Sequence, residues 1–221
     1  MKYIAFDMDG TLFDCGEIIV EAYGRAVVVF AKKTGINLKV PTSEQFRSFL
    51  GMTADHFFKG LFPELDSKYY GEIDRLCTAE LSRDVSQKKG ILYDGVHELF
   101  EKLYNDDWKI LIASNGQFLY LTTILETYDL AQYLAHTVIV VNYRGINTKS
   151  DILAEYIRAL NIKDHFVMVG DRASDLKAAR DNNAFFIVCS FGHADEGEIA
   201  TADAMVHSMK EIPGILASLD F

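Results

Sequence analysis

The sequence predicts an α/β protein: a parallel, Rossmann-like sheet covered by helices on both faces, with an all-helical segment inserted after the first strand. Two observations carry this. From Gly90 onward, short apolar runs alternate with helical stretches, the pattern of strands buried on both faces. Between residues 15 and 89 no strand is convincing, and apolar residues recur at helical spacing instead. The 221 residues suit one large domain with a modest insert. The predicted division is a core of residues 1–14 and 90–221 with a helical cap of residues 15–89.

The first strand is Lys2 to Phe6, ending in the acidic turn Asp7-Met8-Asp9-Gly10-Thr11. In the insert, Glu17 to Lys33 reads as a helix that stops at Gly35, a C′ glycine. Thr42 to Leu50 follows, with Thr42 or Ser43 as N-cap and Gly51 as the stop, and then come helices over Thr53 to Leu61 and Ser67 to Arg83. After Gly90 the expected helices are Val96 to Asn105, Phe118 to Tyr128, Lys149 to Leu160, Ala173 to Arg180 and about Lys210 to Leu219. The expected strands between them are Trp108 to Ala113, Thr137 to Val141, Phe166 to Val169, Ala184 to Cys189 and Ala204 to Val206.

Composition narrows the function. Apolar residues at 49% can build a real core, and a formal charge of −10 argues against a mainly electrostatic hold on nucleic acid or an anionic membrane. No apolar run approaches the roughly 20 residues of a bilayer span, and the N-terminus opens into strand rather than a leader peptide. Cys15, Cys77 and Cys189 are odd in number and widely spaced, so small apolar packing in a reducing cytoplasm is expected.

Ligands in open α/β sheets bind beyond the carboxyl ends of the strands. There the sequence places Asp7 and Asp9, then Ser114, Asn115 and Gly116, then Lys149 at a helix start, then Gly170, Asp171 and Asp175. Crowded carboxylates repel one another unless a cation sits among them, and hard oxygen ligands suit Mg²⁺. A lysine, a hydroxyl and turn N–H groups can hold phosphate oxygens. One aspartate can attack phosphorus while a second moves the proton. The parts suit phosphoryl transfer. Asp-rich turns also cap helices, and Asp14 and Asp151 are read as caps.

Asp7-Met8-Asp9-Gly10-Thr11-Leu12-Phe13-Asp14 resembles the first signature of the haloacid dehalogenase superfamily, in its phosphatase branch. Ala113-Ser114-Asn115-Gly116, Lys149 and Gly170-Asp171-Arg172-Ala173-Ser174-Asp175 fit the remaining signatures in order. The resemblance spans essentially the whole chain, and the insert matches the family's small helical cap. Tyr93-Asp94-Gly95-Val96 and Ser190-Phe191-Gly192-His193 are similar to landmarks of the phosphoglycolate-phosphatase-like group. Lys149-Ser150 replaces the frequent Lys-Pro, Asp94 stands where proline is common, and Cys15 replaces a frequent serine.

The resemblance implies roles. Asp7 is the nucleophile and a metal ligand. Asp9 is the general acid/base and offers its backbone carbonyl to the metal. Ser114 and Asn115 bind the transferring phosphoryl group, and Lys149 steadies it and the nucleophile. Asp171 ligates Mg²⁺ and Asp175 supports that site. Asp9 separates the chain from the dehalogenases, which lack an acid there, and from the P-type pumps, which have threonine. The expected activity is Mg²⁺-dependent hydrolysis of a small phosphorylated metabolite by a cytoplasmic monomer or homodimer. The alternative is a sugar-phosphate mutase of the β-phosphoglucomutase type. His56 and His193 are read mainly as surface or loop residues, with entry to the pocket as the sharper alternative.

Overall fold

The structure, a computed structural model, describes residues 1–49, 52, 54–141, 145–163, 165–193 and 201–219. The chain begins with β1 (Tyr3–Phe6) and the short β2 (Phe13–Asp14). Helices α1 (Ile19–Thr34), α2 (Ser43–Phe49), α3 (Ala54–Leu61) and α4 (Tyr70–Ser86) follow, and then the two-residue β3 (Ile91–Leu92). The remainder alternates: α5 (Val96–Asn105), β4 (Lys109–Ile112), α6 (Phe118–Thr127), α7 (Lys149–Leu160), β5 (Phe166–Gly170), α8 (Ala173–Asp181), β6 (Phe185–Cys189), β7 (Ala204–Val206) and α9 (Ile212–Ser218). Among the described residues no helix is long and apolar enough to cross a membrane.

The main sheet is parallel, in the order β4-β1-β5-β6-β7. Side chains alternate across it because the strand period is two. Ile4, Phe6, Val167, Val169 and Ile187 pack toward α5, α6 and α9, while Tyr3, Ala5, Met168, Phe186 and Val188 pack toward α7 and α8. Both faces are therefore buried, which is why these strands are apolar throughout rather than alternating with polar residues.

Helices α1 to α4 lie between β2 and β3, and their described residues contain no strand. α1 buries Ile19, Ala22, Tyr23, Ala26, Val27 and Phe30, one stripe at helical spacing, and α4 answers with Ile73, Cys77, Leu81 and Val85. Arg25 on α1 ties the pair together, donating to Glu80 at 2.7 Å and to the buried Asp84. Thr42 caps α2, its hydroxyl accepting from the Gln45 N–H while Gln45 accepts from the Thr42 N–H. Leu50, Gly51 and Thr53, the expected end of one helix and start of the next, lie outside the described residues.

One expectation needs correction. Residues 137 to 141 form no strand: the chain touches the sheet edge at Leu134, opposite Ile110, and then leaves it. The Tyr156 hydroxyl replaces the ladder there. It donates to Ile112 O at 2.9 Å, accepts from Ile139 N at 3.1 Å and lies 3.3 Å from Thr137 O. A side chain thus satisfies backbone groups that a further strand would pair. The structure also contains the antiparallel ribbon β2–β3, where Phe13 faces Leu92 and Asp14 faces Ile91. Two-residue strands carry no readable period, so the sequence did not signal it.

Candidate active site

Register brings the motifs together. Phe6 is level with Ile112 on one neighbour and Val169 on the other. The chain leaves β1 at Asp7, whose N–H donates to Val169 O at 2.9 Å, while Ala113 N–H donates to Phe6 O at 2.8 Å. Asp7, Ser114 and Asp171 therefore emerge side by side at the carboxyl edge. This is a topological switch point, since β1 sits between β4 and β5.

The turn after β1 is wound on Met8 O, which accepts from the N–H of Leu12 at 2.8 Å and of Phe13 at 2.9 Å. Gly10 adopts φ +82°, and a β-carbon there would collide with the Asp171 carboxylate and the His193 ring, so only glycine serves. Thr11 turns inward and donates to Asp171 Oδ1 at 3.1 Å.

Lys149 opens α7, fixed by a capping box of Thr148 and Asp151, and is buried. Its ammonium lies 2.8 Å from Asp7 Oδ2 and 2.6 Å from Asp175 Oδ1. Asp175 uses its other oxygen for the N–H groups of Arg172 at 2.9 Å and Asp171 at 3.2 Å. Asp171 Oδ2 accepts from His193 N–H at 2.6 Å. His193 thus serves through its backbone in a loop, and Asp151 is a helix cap, whereas Asp14, expected as a cap, lies on β2 and accepts from Gly16 N–H at 2.8 Å in a local turn. Ser150, where proline was the family pattern, donates to Asp181 at 2.6 Å.

Carboxylate oxygens of Asp7, Asp171 and Asp175 lie within 4.8 Å of one another, all buried. Burial, and then the Asp7 charge, push Asp171 above the ordinary carboxylate range. Burial does the same to Asp175 despite Lys149. Burial alone would lower Lys149, but Asp175 and Asp7 outweigh it and hold the lysine protonated. Three carboxylates facing one lysine leave an excess of negative charge. A hard divalent cation with room for water, such as Mg²⁺, fits this all-oxygen donor set.

Asp9 lies with Asp7 on a small chamber that is also lined by residues of α1, α3 and α4. Its Oδ1 accepts a 2.6 Å hydrogen bond from the Tyr120 hydroxyl on α6. Burial raises its pKa to about 6, against the opposing effect of that hydrogen bond. Ser114, buried, and Asn115 line the same chamber, and Gly116 N–H donates to Ser114 Oγ at 3.3 Å. Cys15 lines it too, and all three cysteines are buried thiols. A second cavity, of about 300 Å³, is lined by Asn115, Lys149 and the exposed His56.

The structure thus brings together Asp7, Asp9, Ser114, Asn115, Lys149, Asp171 and Asp175 at one edge. Sequence reasoning missed Thr11, Tyr120, Asp74 and Gln117. Thr11 sits inside the first motif and carried a signal in its position. Tyr120 and Asp74 looked like any helical residue, because their partners lie far away in sequence.

A family model described as haloacid dehalogenase-like hydrolase matches residues 4–189. A phosphoglycolate phosphatase of Vibrio parahaemolyticus is 24% identical over 226 residues, covering 98% of this chain and 96% of that protein. A pyrophosphatase, PpaX, of Listeria innocua is 22% identical over 218 residues, covering 96% and 95%. Among solved structures, CbbY of Rhodobacter sphaeroides in complex with phosphate superposes with a TM-score of 0.82 at 17% identity, covering 96% of each chain. At that identity the likeness concerns the fold.

Proposed function

The chain belongs to the haloacid dehalogenase-like hydrolase family, and we propose that within it the protein is a Mg²⁺-dependent phosphatase acting on a small phosphomonoester through an aspartyl-phosphate on Asp7. One observation carries the reading. Two carboxylates two residues apart occupy opposite environments: Asp7 is paired with the Lys149 ammonium at 2.8 Å, while Asp9 faces the chamber with its pKa raised to about 6. This arrangement supports reading Asp7, held against a lysine, as the nucleophile and Asp9 as the group that carries the proton.

The Asp7 carboxylate attacks phosphorus, and the bond from phosphorus to the ester oxygen breaks. Asp9 gives its proton to that oxygen, and the alcohol leaves. Asp9, now ionised, takes a proton from water as the water oxygen attacks phosphorus, and the bond to Asp7 breaks to release inorganic phosphate. Ser114, Asn115 and Lys149 hold the phosphoryl oxygens throughout. Asp7, Asp171 and the Asp9 carbonyl would hold Mg²⁺, with Asp175 supporting them through Lys149 and the turn at Arg172. When bound, the ion neutralises charge so that an anionic phosphoryl group can approach an anionic carboxylate.

Residues 15–89 serve in this proposal as a cap, and residues 1–14 and 90–221 as the core. The β2–β3 ribbon stands where the chain crosses between them. The cap excludes water while Asp7 is loaded. Three buried thiols suit a reducing cytoplasm.

The test is phosphate release from a panel of phosphomonoesters including p-nitrophenyl phosphate, with Mg²⁺ and with excess chelator. Release that needs Mg²⁺ supports the reading, and full activity in chelator refutes it. Conversion of glucose 1-phosphate to glucose 6-phosphate without free phosphate would mark a mutase.

A further inference from the structure

The chamber in front of Asp9 has a volume of about 90 Å³, space for a leaving group of only a few non-hydrogen atoms. Its floor is Asp7, Asp9 and Ser114, and its far wall is built by α1, α3 and α4. On that wall stands a third carboxylate. Asp74, at half-buried depth on α4, turns into the chamber beside Thr78 and accepts from Gln117 Nε2 at 2.6 Å. Asp74 forms no ion pair among the described residues, and no described lysine or arginine lines the chamber. The aromatic rings of Tyr23, Phe57 and Phe58 complete the wall, Tyr23 meeting Phe57 edge-on at 5.9 Å.

A half-buried carboxylate without a cation is costly to keep charged, unless the ligand supplies the cation. The aromatic wall is compatible with the same kind of ligand, because a ring's quadrupole attracts an ammonium seated over its face. A second anion on the leaving group would instead meet Asp74 at short range with only neutral side chains to oppose the repulsion. Burial raises the Asp74 pKa to about 6, so above that pH it stands ionised and open to a positive partner.

We infer that the substrate is the phosphate ester of a short amino alcohol, its protonated amine seated against Asp74 and the Tyr23, Phe57 and Phe58 wall. The inference rests on the phosphatase reading above. Hydrolysis then breaks the phosphorus–oxygen bond, Asp9 protonates the alcohol oxygen, and the amine keeps its proton. Asp74 is the residue that discriminates, since it is the group that tells an ammonium from a carboxylate.

The experiment compares two esters of equal carbon number, phosphoethanolamine and phosphoglycolate, with Mg²⁺ at pH 7.5 and p-nitrophenyl phosphate as reference. The expected result is kcat/KM at least about tenfold higher for phosphoethanolamine, which corresponds to about 1.4 kcal/mol. Asp74→Asn should reduce that ratio at least about tenfold, chiefly by raising KM for the amine. Equal rates, or a preference for phosphoglycolate, with p-nitrophenyl phosphate still hydrolysed, would overturn this inference alone. A ratio unmoved by Asp74→Asn in a folded variant would overturn it as well, and if the variant does not fold, the wild-type ratio decides. Failure to hydrolyse any of the three would overturn the phosphatase reading itself.

Discussion

The Tyr120 hydroxyl donates a 2.6 Å hydrogen bond to Asp9 Oδ1 across 111 residues of chain, joining α6 to the turn after the first strand. The bond opposes burial. Burial drives Asp9 toward its neutral form, and the hydroxyl favours the anion, with the balance at about 6.

Tyr120→Phe removes that donor, so the Asp9 pKa should rise. An acid that must be protonated loses its proton as pH climbs through its pKa. The fall of kcat/KM for an alkyl phosphate on the alkaline side should therefore move to higher pH in the variant. A pH profile of both proteins with Mg²⁺ present checks this. A limb at the same pH, or one moved downward, speaks against Asp9 as the proton donor.

Asp74→Asn should change stability with pH as well as specificity. The folded pKa of about 6 lies above the ordinary 3.8, so the folded state binds the proton more tightly than the unfolded one. The wild type therefore loses stability as pH rises from about 4 to about 6. The amide does not titrate, and its carbonyl can still accept from Gln117. Thermal melts should coincide near pH 4 and diverge in favour of the variant by about 1–2 kcal/mol at pH 8, allowing for solvent in the chamber. Equal melts at pH 8 would show that Asp74 is not strained by burial.

Gly35→Ala tests the helix end and leaves the chemistry alone. Gly35 ends α1 in the left-handed region, φ +75°, its N–H bonded to Ala31 O, and a β-carbon there meets nothing within 4 Å. The loss should be about 1 kcal/mol from backbone strain alone, seen in urea unfolding, with kcat/KM unchanged.

The candidate edge was legible because Asp7, Ser114 and Asp171 fall just beyond strand ends and Lys149 opens a capped helix, where short-range pattern and topology agree. Asp7 follows an apolar run, Lys149 follows the Thr148 cap, and Asp171 follows the last residue of β5. The α5 helix, Val96 to Asn105, matched its apolar spacing to the residue. What escaped depends on contacts distant in sequence. Residues 137 to 141 are β-prone, yet Tyr156 takes their backbone groups, which no local pattern announces. Tyr120 and Asp74 occupy ordinary helical positions and acquire meaning only when Asp9 and Gln117 are folded against them.

Asp7→Asn should abolish nearly all turnover, since an amide is a far poorer nucleophile and a weaker metal ligand. The fold should survive, because the change relieves repulsion among Asp7, Asp171 and Asp175. Circular dichroism and phosphate release check the two halves separately. Substantial turnover in a preparation free of other phosphatases would refute the covalent route.

Asp9→Asn offers the most direct view of that route. Loss of a positioned acid/base slows proton transfer by about 10² to 10⁴. The nitrophenyl leaving group needs little protonation, so loading of Asp7 should persist while attack by water stalls. Intact-mass spectrometry of Asp9→Asn, mixed with Mg²⁺ and p-nitrophenyl phosphate, should find one added phosphoryl group. Peptide mapping should place it on Asp7, and the Asp7→Asn/Asp9→Asn double variant should lack it. Release of p-nitrophenol with no adduct, or an adduct on another residue, would contradict Asp7 as the nucleophile.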